Sequence, residues 1–414
     1  MNTFIFKIKR LSKGFVFKIS AWALIGMFVP LLGGLNISGK ILLSQNSLTP
    51  EPILNILATS LLTVTTFSLG IIVSTYSAVA NQTSPRATIL ITHNPTIQYV
   101  LSTFIGAFLY SLVGMIALYS HFYTPAGKVL VLLITVIVVI CVIIAFIRWI
   151  NYLFIFGRIP YIIEELAEVA LNALIARKSC RAMGARLGSA TPPCFPSSHH
   201  LYANQTGFIQ YIDIHGLNQW AEKKRCHIYV CVEIGNWVNL SHRLTCVTQT
   251  LTDQDKQTIM TFFLIRSGRV FDNDPYYGCE VLNEVAMKAL SPGINDPGTA
   301  KSVISQLIRV LSEWSDNNHP EKTAYYPCVS MPMLEDETLF GVCFDSLLPL
   351  MVSDVRLQTF FVQGILSLEQ INPSCWQSVV RKRLRILLSM LPQGAHTIEL
   401  QQLVRDAFYN DVPS

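Results

Sequence analysis

The sequence predicts an α-helical membrane domain of four transmembrane helices followed by a soluble α+β C-terminal domain. Three observations carry that prediction. Apolar residues make up 51% of the chain and charged residues only 14%, where a soluble protein carries about a quarter. The charge is divided along the chain. Residues 1–158 hold ten Lys or Arg and a single acid, Glu51, whereas 159–414 hold 21 Lys or Arg against 25 Asp or Glu, so the net charge of +5 combines +9 with −4. Finally, four apolar runs lie in the first part, at about 19–35, 53–79, 100–119 and 129–150, each close to the roughly 20 residues that cross a hydrocarbon core. A nucleic-acid binder needs a concentrated basic face, and no such face is read here.

Lys7, Lys9, Arg10 and Lys13 precede the first run. A secretory leader has that layout, but no A-x-A-like site follows Leu35 and three more runs come later, so an uncleaved helix is expected. Pro30 and Gly33-Gly34 loosen its outer end. The second run is the most informative. Asn55, Thr59, Thr63, Thr66, Gly70, Ser74, Ser77 and Asn81 recur at gaps of three and four and share one helix face. Leu57, Leu61, Leu62, Val64, Ile71 and Ile72 form the opposite, lipid-facing side. The third run carries small Gly106, Ser111 and Gly114, and the fourth is Val- and Ile-rich with no polar stripe. Basic residues gather in the N-tail, at Arg86 and after the fourth run (Arg148, Arg158, Arg177, Lys178, Arg181), and the other loops hold only Lys40 and Lys128. The positive-inside rule then places both termini in the cytoplasm of a multi-pass inner-membrane protein.

The domain plan is a membrane domain over 1–158, a juxtamembrane helix and linker over 159–206, and a cytoplasmic α+β domain over 207–414. Pro160 suits a first helical turn, and Tyr161–Lys178 is amphipathic with Glu164, Glu165 and Glu168 on the wet side. Residues 180–206, rich in Gly, Ser, Pro and His, read as loop. Strands are expected at Gly207–Asp213, Cys226–Glu233 and Arg243–Thr248, and helices at Gln257–Arg266 and Tyr277–Leu290. Ser291-Pro-Gly-Ile-Asn-Asp-Pro-Gly is a turn that ends in Asp296 as N-cap and Pro297 at the first helical position. A helix to Trp314 follows, then loop over 315–336, a strand at Leu339–Phe344, and helices at 346–370, 375–391 and 396–409, with Gly394 just past the second of these.

Ten cysteines are scattered without a CxxC pair, so no zinc or thioredoxin-like motif is signalled, and free thiols in the soluble part suit a reducing cytosol. Asn81-Gln-Thr-Ser-Pro-Arg86, Gly106-Ala-Phe-Leu-Tyr-Ser111, Gly207-Phe-Ile-Gln-Tyr-Ile-Asp213 and Ala289-Leu-Ser-Pro-Gly-Ile-Asn-Asp-Pro-Gly-Thr-Ala300, the last preceded by Gly268-Arg269 and Asp274, resemble in order the bacterial predicted membrane proteins of domain of unknown function 2254. The resemblance spans about 15–315. It implies four membrane helices and a soluble C-terminal domain, and it implies no reaction. Members of that family carry histidines just after the fourth span, where this chain has Arg148-Trp149, so no metal or proton role passes to that junction.

Two sets of candidate site residues emerge. The membrane seam is Thr59, Thr63, Thr66, Gly70, Ser74, Ser77 and Asn81. It serves helix packing, in which small residues let backbones approach, or it lines a wet path in an oligomer. No acid, His or Lys lies mid-membrane, which speaks against a pump or ion-coupled carrier and leaves a passive pore open. The cytoplasmic set is Arg269, Asp272, Asp274, Asn295 and Asp296, with Glu280 nearby. Its oxygens suit a hard cation, but capping and turn preferences favour a structural role. Lys223-Lys-Arg225 and Arg381-Lys-Arg-Leu-Arg385 are basic clusters, the second placed to touch anionic lipid or to form a solvated face. No G-x-S-x-G, Walker, H-E-x-x-H or G-x-G-x-x-G signature occurs. No enzyme activity, cofactor or metal is therefore expected. The expected partners are the lipid bilayer and further copies of the chain, without nucleic acid. The function expected is an oligomeric passive pore or gated conduit with a cytoplasmic sensing domain, with a membrane-anchored ligand-binding or scaffold protein as the alternative.

Overall fold

A computed structural model describes Phe28, Leu31 and residues 49–88, 94–178, 180–188, 199–315, 325–391, 398–402 and 404–405. Apart from Phe28 and Leu31, the expected first span at 19–35 lies outside the described residues, as does Gly394. The other three spans form α1 (Glu51–Gln82), α2 (Pro95–Tyr119) and α3 (Pro125–Leu153), each long and apolar enough to cross a membrane. Two of them begin earlier than the apolar runs suggest, because their caps lie in polar sequence. The Asn94 side chain accepts from Thr96 N with Pro95 in the first turn, and Thr124 accepts from Gly127 N with Pro125 in the first turn.

The described residues fall into two compact units, one of 49–81 and 85–161, the other of 82–84 and 162–405. In the first, α2 packs on α3. Their contact is pinned by the Tyr110 hydroxyl, which donates to Val131 O at 3.1 Å and sits 2.9 Å from Thr135 Oγ1. Another side of α3 is open: Leu133, Ile137, Ile140, Ile143 and Ile147 are exposed, an apolar surface suited to lipid or another helix. Trp149, Tyr152 and Phe156 cluster at the end of α3, as aromatic rings do at a membrane–water boundary.

The second unit opens with α4 (Ile159–Lys178), whose residues from Ile162 onward belong to it. Glu164 and Glu168 are exposed and Ile163, Leu166 and Ala170 are buried, as the amphipathic pattern predicts. A five-stranded sheet has the order β1 (Ala185–Leu187), β8 (Tyr326–Met331), β4 (Ile228–Val230), β6 (Arg243–Val247), β2 (His200–Tyr202), parallel from β1 through β8 to β4 and antiparallel beyond. A second, antiparallel sheet pairs β5 (Trp237–Val238), β3 (Gly207–Ile212) and β7 (Phe263–Arg266). Helices α5 (Ile214–Lys224) and α6 (Asp253–Met260) connect these strands. A helical layer follows: α7 (Tyr277–Ala289), α8 (Pro297–Ser315), α9 (Asp336–Phe344), α10 (Val355–Ile371) and α11 (Pro373–Met390). Its core is aromatic, with Trp314, Phe340, Phe344, Phe361 and Trp376 fully buried. Gly278 lets α7 reach α4, since a Cβ there would strike Ala170.

Several expectations need correction. Residues 180–206 contain β1 and β2, and 315–336 contains β8, a central strand. Pro327 and the polar residues before Tyr326 disguise it, and the β1–β8 register jumps across Pro327 from Tyr326 to Ser330. The helix expected at Gln257–Arg266 divides into α6, started by a Thr252–Asp255 capping box, and β7. Leu339–Phe344 is helical because its apolar run lies inside α9, whose first turn carries Asp336 and Glu337. The strand at Cys226–Glu233 shrinks to β4, and the region 346–370 begins with a 3-10 turn at Leu348–Met351 before α10. Residues 398–402 and 404–405 are helical.

Candidate functional site

Along α1 the seam residues Asn55, Thr59, Thr63, Thr66, Gly70, Ser74, Ser77 and Asn81 are all exposed in the isolated chain. A Cβ at Gly70 would meet nothing within 4 Å. The hydroxyls do not wait for outside partners. Thr59 donates to Asn55 O at 2.9 Å, Thr63 to Thr59 O at 3.1 Å, Thr66 to Leu62 O at 2.9 Å and Ser77 to Val73 O at 3.2 Å. Each is thereby satisfied by its own helix, which makes the face tolerable in a dry environment. The side read as facing lipid needs correction: Leu57 and Leu61 are buried within the unit together with Leu54, Thr65 and Ser68, while Leu62 is exposed.

The candidates of the second set separate. Arg269 and Asp274 form a two-pronged pair, Nε to Oδ2 at 2.7 Å and Nη2 to Oδ1 at 2.8 Å, and Arg269 Nη1 also engages Glu280. Asp274 is 1% exposed and accepts the amides of Tyr276 and Tyr277 at 3.1 Å, which serves the start of α7. The Arg269 guanidinium also lies over the Tyr277 ring, 4.8 Å from its centre. Burial pushes the Asp274 carboxyl up, and Arg269 with the two amides pulls it back. Gly235, with φ +93°, closes the chain over this carboxylate, and a Cβ there would run into it. Asp272 is exposed nearby in sequence.

Asn295 and Asp296 belong to the α7–α8 turn. No hydrogen bond or ion pair among the described residues joins them to Arg269 or Asp274. Asn295 adopts φ 49°, the left-handed conformation that Asn tolerates, and Asp296 caps α8 by accepting from Thr299 N at 3.0 Å and from the Thr299 hydroxyl at 2.6 Å. Those hydrogen bonds hold the Asp296 carboxyl below its ordinary value. Its contribution is then fully present above the unfolded value near about 4 and is lost as pH falls through the folded value. Asp296→Ala should cost about 1 kcal/mol in a chemical denaturation of the purified protein. Loss of biological activity at unchanged stability would instead mark Asp296 as functional.

Each basic cluster is partly neutralised by acids, while Lys223, Arg225 and Arg385 are exposed. Lys224 pairs with Asp255 at 2.8 Å. Arg381 pairs with Glu369, Lys382 with Glu337, and Arg383 with both Glu337 and Asp345. No group of three His, Cys, Asp or Glu residues arranged to hold a metal ion occurs among the described residues. Sequence reading missed Arg177, whose side chain is buried on α4 and pairs with Glu233 at 3.1 Å. Its signal was there: Ile163, Leu166, Ala170 and Arg177 share the apolar stripe of that helix, which puts a charge where an apolar residue belongs.

A family model described as predicted membrane protein (DUF2254) matches residues 15–363. No match was found among the curated proteins or among the solved structures.

Proposed function

Because the chain belongs to the DUF2254 family of predicted membrane proteins, we propose that it works as an oligomeric conduit of the inner membrane whose copies meet along the small face of α1 and whose soluble domain senses and gates. The observation that carries this is the exposed seam: eight small or polar residues that share one face of a 32-residue helix are all exposed among the described residues. Small side chains permit close helix approach, and the hydroxyls of Thr59, Thr63, Thr66 and Ser77, already bonded to their own carbonyls, make no demand on an adjoining copy. The family match and the apolar helices support the membrane setting. In this reading Arg269 and Asp274 are structural and the protein is not an enzyme.

One observation favours a second reading. Hydroxyls turned back on their own helix need no water, which suits a dry contact in a membrane-anchored binding or scaffold protein. Planar-bilayer recording of the purified protein separates the two. Currents that respond to voltage, tension or osmotic change support the conduit, and silence under all three leaves the anchored binder. The orientation has its own test. Cysteines placed at Phe122 and Lys223, both exposed, should react with an impermeant maleimide from opposite sides of the membrane, Phe122→Cys from outside and Lys223→Cys only after permeabilisation. Labelling of both from one side overturns the topology.

A further inference from the structure

The soluble domain contains a cavity of about 360 Å³, within the size range of small-molecule sites. Its wall combines the last turn of α4, the segment before β1, the Gly235 loop, Asn273 and the start of β8. Met183, Ile234, Tyr325 and Tyr326 supply apolar and aromatic surface, and Arg177 and Asn273 supply polar groups.

The polar groups are donors in excess. Arg177, with a side chain 7% exposed, uses Nη2 twice, to Glu233 Oε1 at 3.1 Å and to Arg181 O at 3.0 Å. Its Nε and Nη1, and Asn273 Nδ2, are buried without a partner among the described residues. Buried polar groups are ordinarily paired, and each failure to pair costs about 1–3 kcal/mol. The unit's other well-buried arginines show what this one lacks. Arg269 holds two carboxylates, Asp274 and Glu280, and Arg383 holds two, Glu337 and Asp345. Arg177 holds one.

We propose that this cavity binds a small organic carboxylate, whose oxygens become the second acid partner of Arg177 and accept from Asn273, and whose apolar or aromatic body lies against Met183, Ile234 and the two tyrosines. Arginine suits a carboxylate because its planar donors match paired oxygens. Arg177 and Asn273 line the cavity while these donor atoms are themselves buried, so binding requires a side-chain adjustment of the size common at binding sites to bring them to the ligand. The nearest acids do not oppose the ligand as bare charges, since Glu233 is paired with Arg177 and Asp274 with Arg269. This assignment rests on neither assembly nor conduction.

The test is titration calorimetry of the full-length protein in detergent with benzoate, its neutral isostere benzamide, and inorganic phosphate. Benzoate should bind saturably with an affinity on the order of 1 mM, and benzamide and phosphate at least about tenfold more weakly. Ala176→Phe places a ring in the cavity from an exposed position of α4, so it should abolish benzoate binding while leaving the circular dichroism and thermal midpoint unchanged. Asn273→Asp should weaken benzoate about tenfold by removing a donor and adding a like charge. Absence of saturable binding, equal affinity for benzamide or phosphate, or benzoate binding retained in Ala176→Phe would each overturn the assignment.

Discussion

Asp274→Ala should destabilise the C-terminal α+β unit by about 3 kcal/mol, the lower end of what is lost when one partner of a buried ion pair is removed. Three losses act together. Arg269, only 13% exposed, keeps Glu280 but loses both prongs to Asp274. The amides of Tyr276 and Tyr277 lose their acceptor at the start of α7. The space under Gly235 that the carboxylate filled is vacated. Glu280 limits the damage, because the arginine is not left wholly without a counter-charge. The double replacement Arg269→Met with Asp274→Leu should recover part of the loss, since an apolar pair of similar volume restores packing and leaves no buried charge. Thermal unfolding of the detergent-solubilised protein reads both. An Asp274→Ala protein of wild-type stability that has lost its biological activity would overturn the structural assignment and return the residue to the list of candidates for chemistry.

The parts of this fold that were legible in the sequence are those set by local rules. Long apolar runs mark α1 to α3, Asp296 and Pro297 mark the start of α8, and the stripe through Val281, Leu282 and Val285 marks α7. The parts that were not legible depend on distant partners. β8 pairs in parallel with β1 and β4, which precede it by more than 90 residues, and nothing within Tyr326–Met331 announces that pairing. Short apolar runs fail for a related reason. Leu339–Phe344 and Phe263–Arg266 have similar texture, yet one is helix and one is strand. The first packs with α7 and α11 and the second finds an open edge at β3. The candidate residues divide along the same line. The Asp296 cap reaches only to Thr299, so its role follows from spacing. The Arg177 donors acquire meaning only when Asn273 and Tyr326, about 96 and 149 residues further on, close the cavity around them.

Gly70→Leu should dissolve the oligomer proposed above. Gly70 lies near the middle of α1, between Thr66 and Ser74 on the exposed seam, and in the single chain nothing within 4 Å would obstruct a Cβ. The fold of one copy therefore has no reason to resist the larger side chain, and Leu favours helix over Gly by nearly 1 kcal/mol. Any defect must come from outside the single chain. If a second copy lies against the seam, the leucine side chain occupies the place of the neighbouring backbone, and close approach of the two helices is lost. Thr66→Val is the control, because it keeps the shape and removes a hydroxyl that already bonds to Leu62 O in its own helix. Interhelical hydrogen bonds in membranes average only about 0.6 kcal/mol, and this hydroxyl is committed elsewhere, so Thr66→Val should leave assembly unchanged. Native electrophoresis in mild detergent, with disulfide cross-linking of a Ser74→Cys protein as a contact readout, decides the matter. The expected pattern is oligomer and cross-link in the wild type and in Thr66→Val, and monomer without cross-link in Gly70→Leu. If Gly70→Leu assembles normally and instead blocks current in a planar bilayer, the seam faces water in the assembly and the copies meet along another face, for which the exposed Val- and Ile-rich surface of α3 and the Ile56, Leu62, Phe67 and Val73 side chains of α1 are both apolar choices.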